Sequence, residues 1–135
     1  MSTPANEAQR EQLRDLRRTL LRLHKLLLDI ERAAYEKARG RVTPGELLQL
    51  VINHEQFAWL HAISELIVRI DEALDAKEGT TATDVSALLA ETKALLTPSE
   101  KETSFAKKYL EVLQDVPEAV LTHREVLQSL NRKDT

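Results

Sequence analysis

Four histidines are the side chains of this 135-residue chain best suited to hold a metal or move a proton: His24, His54, His61 and His123. Two of them fall in HEQFAWLHAISELIVRI, residues 54–70, where His54, His61, Glu65 and Arg69 are set among large apolar residues. If that stretch is helical, His61 and Glu65 are neighbours on one face, four residues apart, and Arg69 continues the row. His54 lies two turns earlier, about 10 Å along the axis, too far for one ion to take both histidines easily. His24 and His123 would have to complete a site from facing helices.

The chemistry available to such a set is limited. Carboxylate-bridged di-iron bundles need paired Glu-x-x-His elements, and the chain has none. His61-x-x-x-Glu65 resembles one element of the hemerythrin pattern, but the His-x-x-x-His partner is absent, and Gln128 follows His123 by five residues where aspartate is needed. With no cysteine, thiolate metal sites, disulfides and thiol catalysis are excluded. No Gly-x-Ser-x-Gly elbow and no phosphate-binding loop is present, and no pair of carboxylates is placed to work as acid and base. No catalytic residue, metal or cofactor is therefore assigned. His61 and Glu65 stand only as candidates for a metal- or ligand-binding bundle. The plainer reading makes them an exposed ladder worth a few tenths of a kcal/mol per pair.

A second candidate is the row Arg10, Arg14, Arg18 and Arg22, each four apart, with Arg17 and Lys25 alongside. Guanidinium forks at that spacing could follow phosphates, the basis of an anion- or nucleic-acid-binding reading. Against it, Glu7, Glu11 and Asp15 interleave as partners, aromatic residues are few, and the net charge is −3. A nucleic-acid partner is not expected.

The elements that would position these residues are helices. Thr3-Pro4, Thr43-Pro44-Gly45-Glu46 and Thr97-Pro98-Ser99-Glu100 each write a hydroxyl cap followed by proline at the first helical position. The last two add glutamate three residues after threonine, a capping box. The resulting segments are about 4–38, closed by Gly40; 44–77, closed by Gly79; 84–96; 98–115, ended by Val116-Pro117; and 117–131. Leu13, Leu16, Leu20, Leu23, Leu27, Ile30 and Ala34 form one heptad seam on the first, widened by Leu21, Leu26, Leu28 and Ala33. On the second, Phe57, Trp59, Leu60, Ile63, Leu66, Ile67 and Ile70 surround the axis, which marks a helix central in its bundle or an interaction surface shared with a second subunit.

The fold expected is a single all-α domain, a bundle built on a long antiparallel hairpin of 4–38 and 44–77 with shorter C-terminal helices closing the groove. Phe57-Ala58-Trp59-Leu60, Ser64-Glu65-Leu66 and Arg69-Ile70-Asp71, with Pro44 through Leu50 and Leu95 through Glu100, resemble a group of small bacterial helical proteins. That resemblance implies an all-helical bacterial protein with no assigned activity. Its pattern often has a basic residue other than histidine at the position of His61, which counts against a metal role there. No secretory leader or apolar run long enough for a membrane is evident, so a cytoplasmic protein is expected. The function expected is a non-enzymatic, self-associating interaction or regulatory bundle, its partner a second copy (a homodimer) or another protein.

Overall fold

The computed structural model describes residues 3–76, 79–97 and 103–132. The chain is all-α: α1 (Glu7–Arg39), α2 (Pro44–Asn53), a 3₁₀ segment (Glu55–Leu60), α3 (His61–Asp75), α4 (Ala82–Leu96), α5 (Ser104–Asp115) and α6 (Pro117–Leu130). Among the described residues no strand forms, only an isolated bridge between Pro4 and Thr81.

That bridge explains why the first helix does not start at Pro4. Ala5 N–H donates to the Thr80 carbonyl at 2.9 Å, and Ala82 N–H donates to the Thr3 carbonyl at 2.8 Å. Thr3 thus satisfies one of the unpaired donors of the first turn of α4. Helix α1 begins instead at an Asn6/Gln9 capping box, with both reciprocal bonds present at 2.8 and 2.9 Å. It ends at Gly40, whose φ of +88° is open to glycine. Helix α4 is opened by a Thr81/Asp84 capping box, two residues before the expected start. The Thr97–Glu100 start signal falls largely outside the described residues. Thr103 is extended and accepts from Ala106 N–H at 3.1 Å, so it caps α5, whose first helical residue is Ser104.

The largest departure is in the expected second helix. It is not continuous over 44–77, and the hairpin of two long helices does not form. His54 takes an extended conformation (φ −89°, ψ 134°) and a six-residue 3₁₀ segment follows, longer than such runs usually are. Neither proline nor glycine stands at the break, which is held by side-chain contacts, one local and the others from distant residues. The His54 imidazole accepts Gln56 N–H at 3.1 Å. The Glu31 carboxylate on α1 receives Gln56 Nε2 at 2.8 Å and the Trp59 indole N–H at 3.2 Å. His61 Nε2 lies 2.8 Å from the Val51 carbonyl, one of the last acceptors of α2.

Past the break, the chain does run antiparallel to α1: Trp59 meets Glu31, Ser64 meets His24, and Asp71 pairs with Arg17. Helix α6 packs antiparallel on another side of α1, with Glu125 paired to Arg22 at 3.0 Å and Ser129 meeting Thr19 at 3.3 Å. Gln12, itself buried, donates to the Ser129 and Leu130 carbonyls, both at 3.1 Å, and so caps the end of α6. Between these helices Leu13, Leu16, Leu20, Leu23 and Leu27 are fully buried. Burying each such side chain contributes about 1.5–3 kcal/mol relative to leaving it in water. The seam then runs out: Ile30 is half-buried and Ala34 is exposed.

Candidate functional site

The four histidines do not converge. His24 Nε2 lies 3.3 Å from Ser64 Oγ, which itself donates to the Leu60 carbonyl at 3.1 Å. The serine proton is therefore spent on the backbone, and the imidazole donates to the hydroxyl. Burial pushes the His24 pKa down, and the nearby His61 adds to the effect. His123, on α6, takes the Tyr109 hydroxyl on Nδ1 at 2.6 Å. Burial raises the Tyr109 phenol far above its ordinary value and lowers His123, so the phenol keeps its proton and donates to a neutral imidazole. His54 is edge-on to Tyr35, with ring centroids 5.5 Å apart.

His61 is exposed, and because a carbonyl can only accept, its Nε2 must carry the proton given to Val51. That nitrogen is closed to a metal. Glu65 is exposed on the same helix, and Arg69 pairs with Glu91 on α4. Among the described residues, no three metal-ligating side chains of the His, Cys, Asp or Glu type are grouped to hold an ion.

The arginine row is a ladder of ion pairs. Arg14 is held by Glu7 at 3.1 Å and by Glu11, Arg18 lies 3.8 Å from Asp15, and Arg22 reaches Glu125. Arg10 enters none of the ion pairs among the described residues. A groove of about 340 Å³ between α1 and α6 is lined by Arg18, Arg22 and Arg132, but Asp15 and Glu125 share it and already pair with all three. The carboxylates occupy the sites that an anion would need.

The apolar set expected to meet a partner is placed differently from that expectation. Phe57, Trp59, Leu60, Ile63, Leu66, Ile67 and Ile70 are all buried in the chain's own core. Trp59 packs on Phe105, which stacks on Tyr109, so α5 covers the 3₁₀ segment. A periodicity that marks a helix as surrounded cannot tell whether the surroundings come from the same chain. Here they come from α1, α4, α5 and the rest of the core.

Large apolar side chains stay open at several places, Leu121 on α6 and Val68 on α3 among them, and one whole stretch is open throughout. From Leu28 to Gln56 no residue is buried, although the stretch contains Leu28, Ile30, Tyr35, Leu47, Leu50 and Val51. Helix α2 lies wholly within it and packs mainly on the 3₁₀ segment. Its inner side sets Leu47, Leu50 and Val51 against the core, while Leu48 and Ile52 on the outer side are 57% and 54% exposed. These two residues were not singled out from the sequence. The signal was there: PGELLQLVIN has one charged residue and too many apolar ones for a single buried face.

No family model, curated protein or solved structure matches the chain. Among the described residues, no helix is long and apolar enough to cross a membrane.

Proposed function

We propose that this chain is a non-enzymatic interaction protein of the bacterial cytoplasm that associates with itself through the open end of its bundle. One observation carries the reading: a whole helix, α2, has no buried residue yet is apolar on two sides. Single exposed leucines are ordinary on protein surfaces and need no explanation. A helix whose only polar chemistry is Glu46, Gln49 and Asn53 is different, because packing of an apolar face is what stabilises a ten-residue helix at all. The lack of any motif for nucleophilic or acid–base catalysis supports a binding role over an enzymatic one. Sedimentation equilibrium of the full chain across micromolar concentrations tests the reading. A reversible monomer–dimer equilibrium is expected, and a strict monomer at every concentration would refute self-association.

A further inference from the structure

We infer that Trp59, Phe105, Tyr109 and His123 form an oxidation relay, in which an electron lost from Trp59 is replaced by one from Tyr109 while the phenol proton passes to His123. Such a relay is a property of the core and does not depend on self-association. Cysteine is absent and the single methionine is Met1, so the side chains that usually yield first to oxidants are almost lacking. Trp59, Tyr35 and Tyr109 are left to take the loss. The three rings of the relay are in contact, with centroids 5.5 Å apart from Trp59 to Phe105 and 5.2 Å from Phe105 to Tyr109, within the range of packed aromatic pairs.

Packing explains the rings but not the partners of their polar hydrogens. A buried indole N–H or phenol needs some acceptor, and most side-chain hydrogen bonds go to backbone or water. Here both go to side chains that can keep a proton. The Trp59 N–H donates to the Glu31 carboxylate at 3.2 Å, and the Tyr109 hydroxyl donates to His123 Nδ1 at 2.6 Å, both within reach of proton transfer. Burial holds the phenol protonated and the imidazole neutral, the two states that the transfer requires. The other phenol, Tyr35, meets an imidazole only ring to ring, edge-on to His54. Electrons and protons balance along the relay. A one-electron oxidant of the peroxyl- or carbonate-radical class takes an electron from Trp59, and the indole proton moves to Glu31. Tyr109 then gives an electron to the indolyl radical, which recovers its proton from Glu31, while the phenol O–H breaks and its proton binds His123. What remains is a reduced oxidant, an intact Trp59, a neutral phenoxyl on Tyr109 and an imidazolium at His123. Tyr109 is only 2% exposed, so the radical rests where little solvent reaches it.

The test is pulse radiolysis of the full chain with azide radical, a one-electron oxidant that attacks tryptophan first, with circular dichroism showing each variant folded. In the wild type, indolyl absorption should decay as phenoxyl absorption grows, at a rate that does not change with protein concentration. Tyr109→Phe keeps the ring and should abolish that growth, leaving the indolyl radical long-lived, whereas Tyr35→Phe should behave as the wild type does. His123→Gln keeps an acceptor but no base, and should slow the transfer on the order of a hundredfold. No phenoxyl growth in the wild type, or growth at a rate proportional to protein concentration, overturns the relay. Growth undiminished in Tyr109→Phe overturns Tyr109 as its end point. An unchanged rate in His123→Gln overturns the proton transfer, and that variant leaves all three rings in place should Tyr109→Phe fail to fold.

Discussion

The two halves of α1 differ although one sequence pattern runs through both. From Gln12 to Leu27 the helix buries seven residues, and from Leu28 to Arg39 it buries none. The cause is a mismatch of lengths. Helix α1 has 33 residues and spans about 50 Å, whereas α6 has 14 and spans about 21 Å. Running antiparallel, α6 begins at Pro117 near the level of Leu26 and Asp29, where Glu118 lines the same groove. Beyond that level α1 is left to the 3₁₀ segment and α2, which turn away at His54. Among the described residues, one end of α1 is thus packed between helices, and the other is finished by a helix whose inner side alone meets the core.

The difference can be broken first by truncating leucines at the two ends. Leu20→Ala, inside the closed half, should cost about 2–5 kcal/mol by chemical denaturation. Leu48→Ala, at the open end, should change the stability of dilute protein by less than about 0.5 kcal/mol. Equal costs would mean that α2 is as firmly packed as the core.

Next in size is the contact that joins the two regions. Glu31→Ala strands the indole N–H of the buried Trp59 and the amide of Gln56, and should cost about 1–3 kcal/mol. Trp59 is the sole tryptophan, so its emission reports the change directly. A red shift with loss of stability is expected, whereas Glu31→Gln, which keeps one acceptor oxygen, should retain most of both.

The smallest effect is with pH. His24 and His123 are both held below the ordinary histidine value of 6.5 by burial, so the unfolded chain binds their protons first. Their contribution to stability is complete above pH 6.5 and is lost as the pH falls below it toward their lowered folded values. Thermal melts between pH 7.5 and 5 should show this decline, and His24→Gln together with His123→Gln should flatten it. An unchanged slope in that pair would place the acid sensitivity elsewhere.

Much of this architecture can be read from residue order alone. The leucine seam of α1 is as regular as the helix it makes, and the Thr43-Pro44 start of α2, with the Thr43 hydroxyl accepting Glu46 N–H at 3.2 Å, stands where local chemistry puts it. What cannot be read is what distant residues decide. The break at His54 has no proline or glycine, and besides the local cap by the His54 imidazole it is tied to Glu31, over twenty residues earlier and on another helix. Asn6 and Gln9 form an equally good cap beside the more conspicuous Thr3-Pro4, and the choice between them is made by Thr80 and Ala82. The difference between the two apolar stretches has one physical source. Apolar density marks residues that water disfavours and is silent on which of them the chain can cover itself, so Phe57–Ile70 outranked Leu48 and Ile52.

Hydrogen–deuterium exchange at several protein concentrations puts the contrast between the two ends to its most direct trial. Amides of Leu13–Leu27 should be protected at every dilution, while those of Leu47–Asn53 should exchange quickly when dilute and slow as concentration rises. Protection of α2 that matches the core at the lowest concentration, or that never responds to concentration, would contradict it.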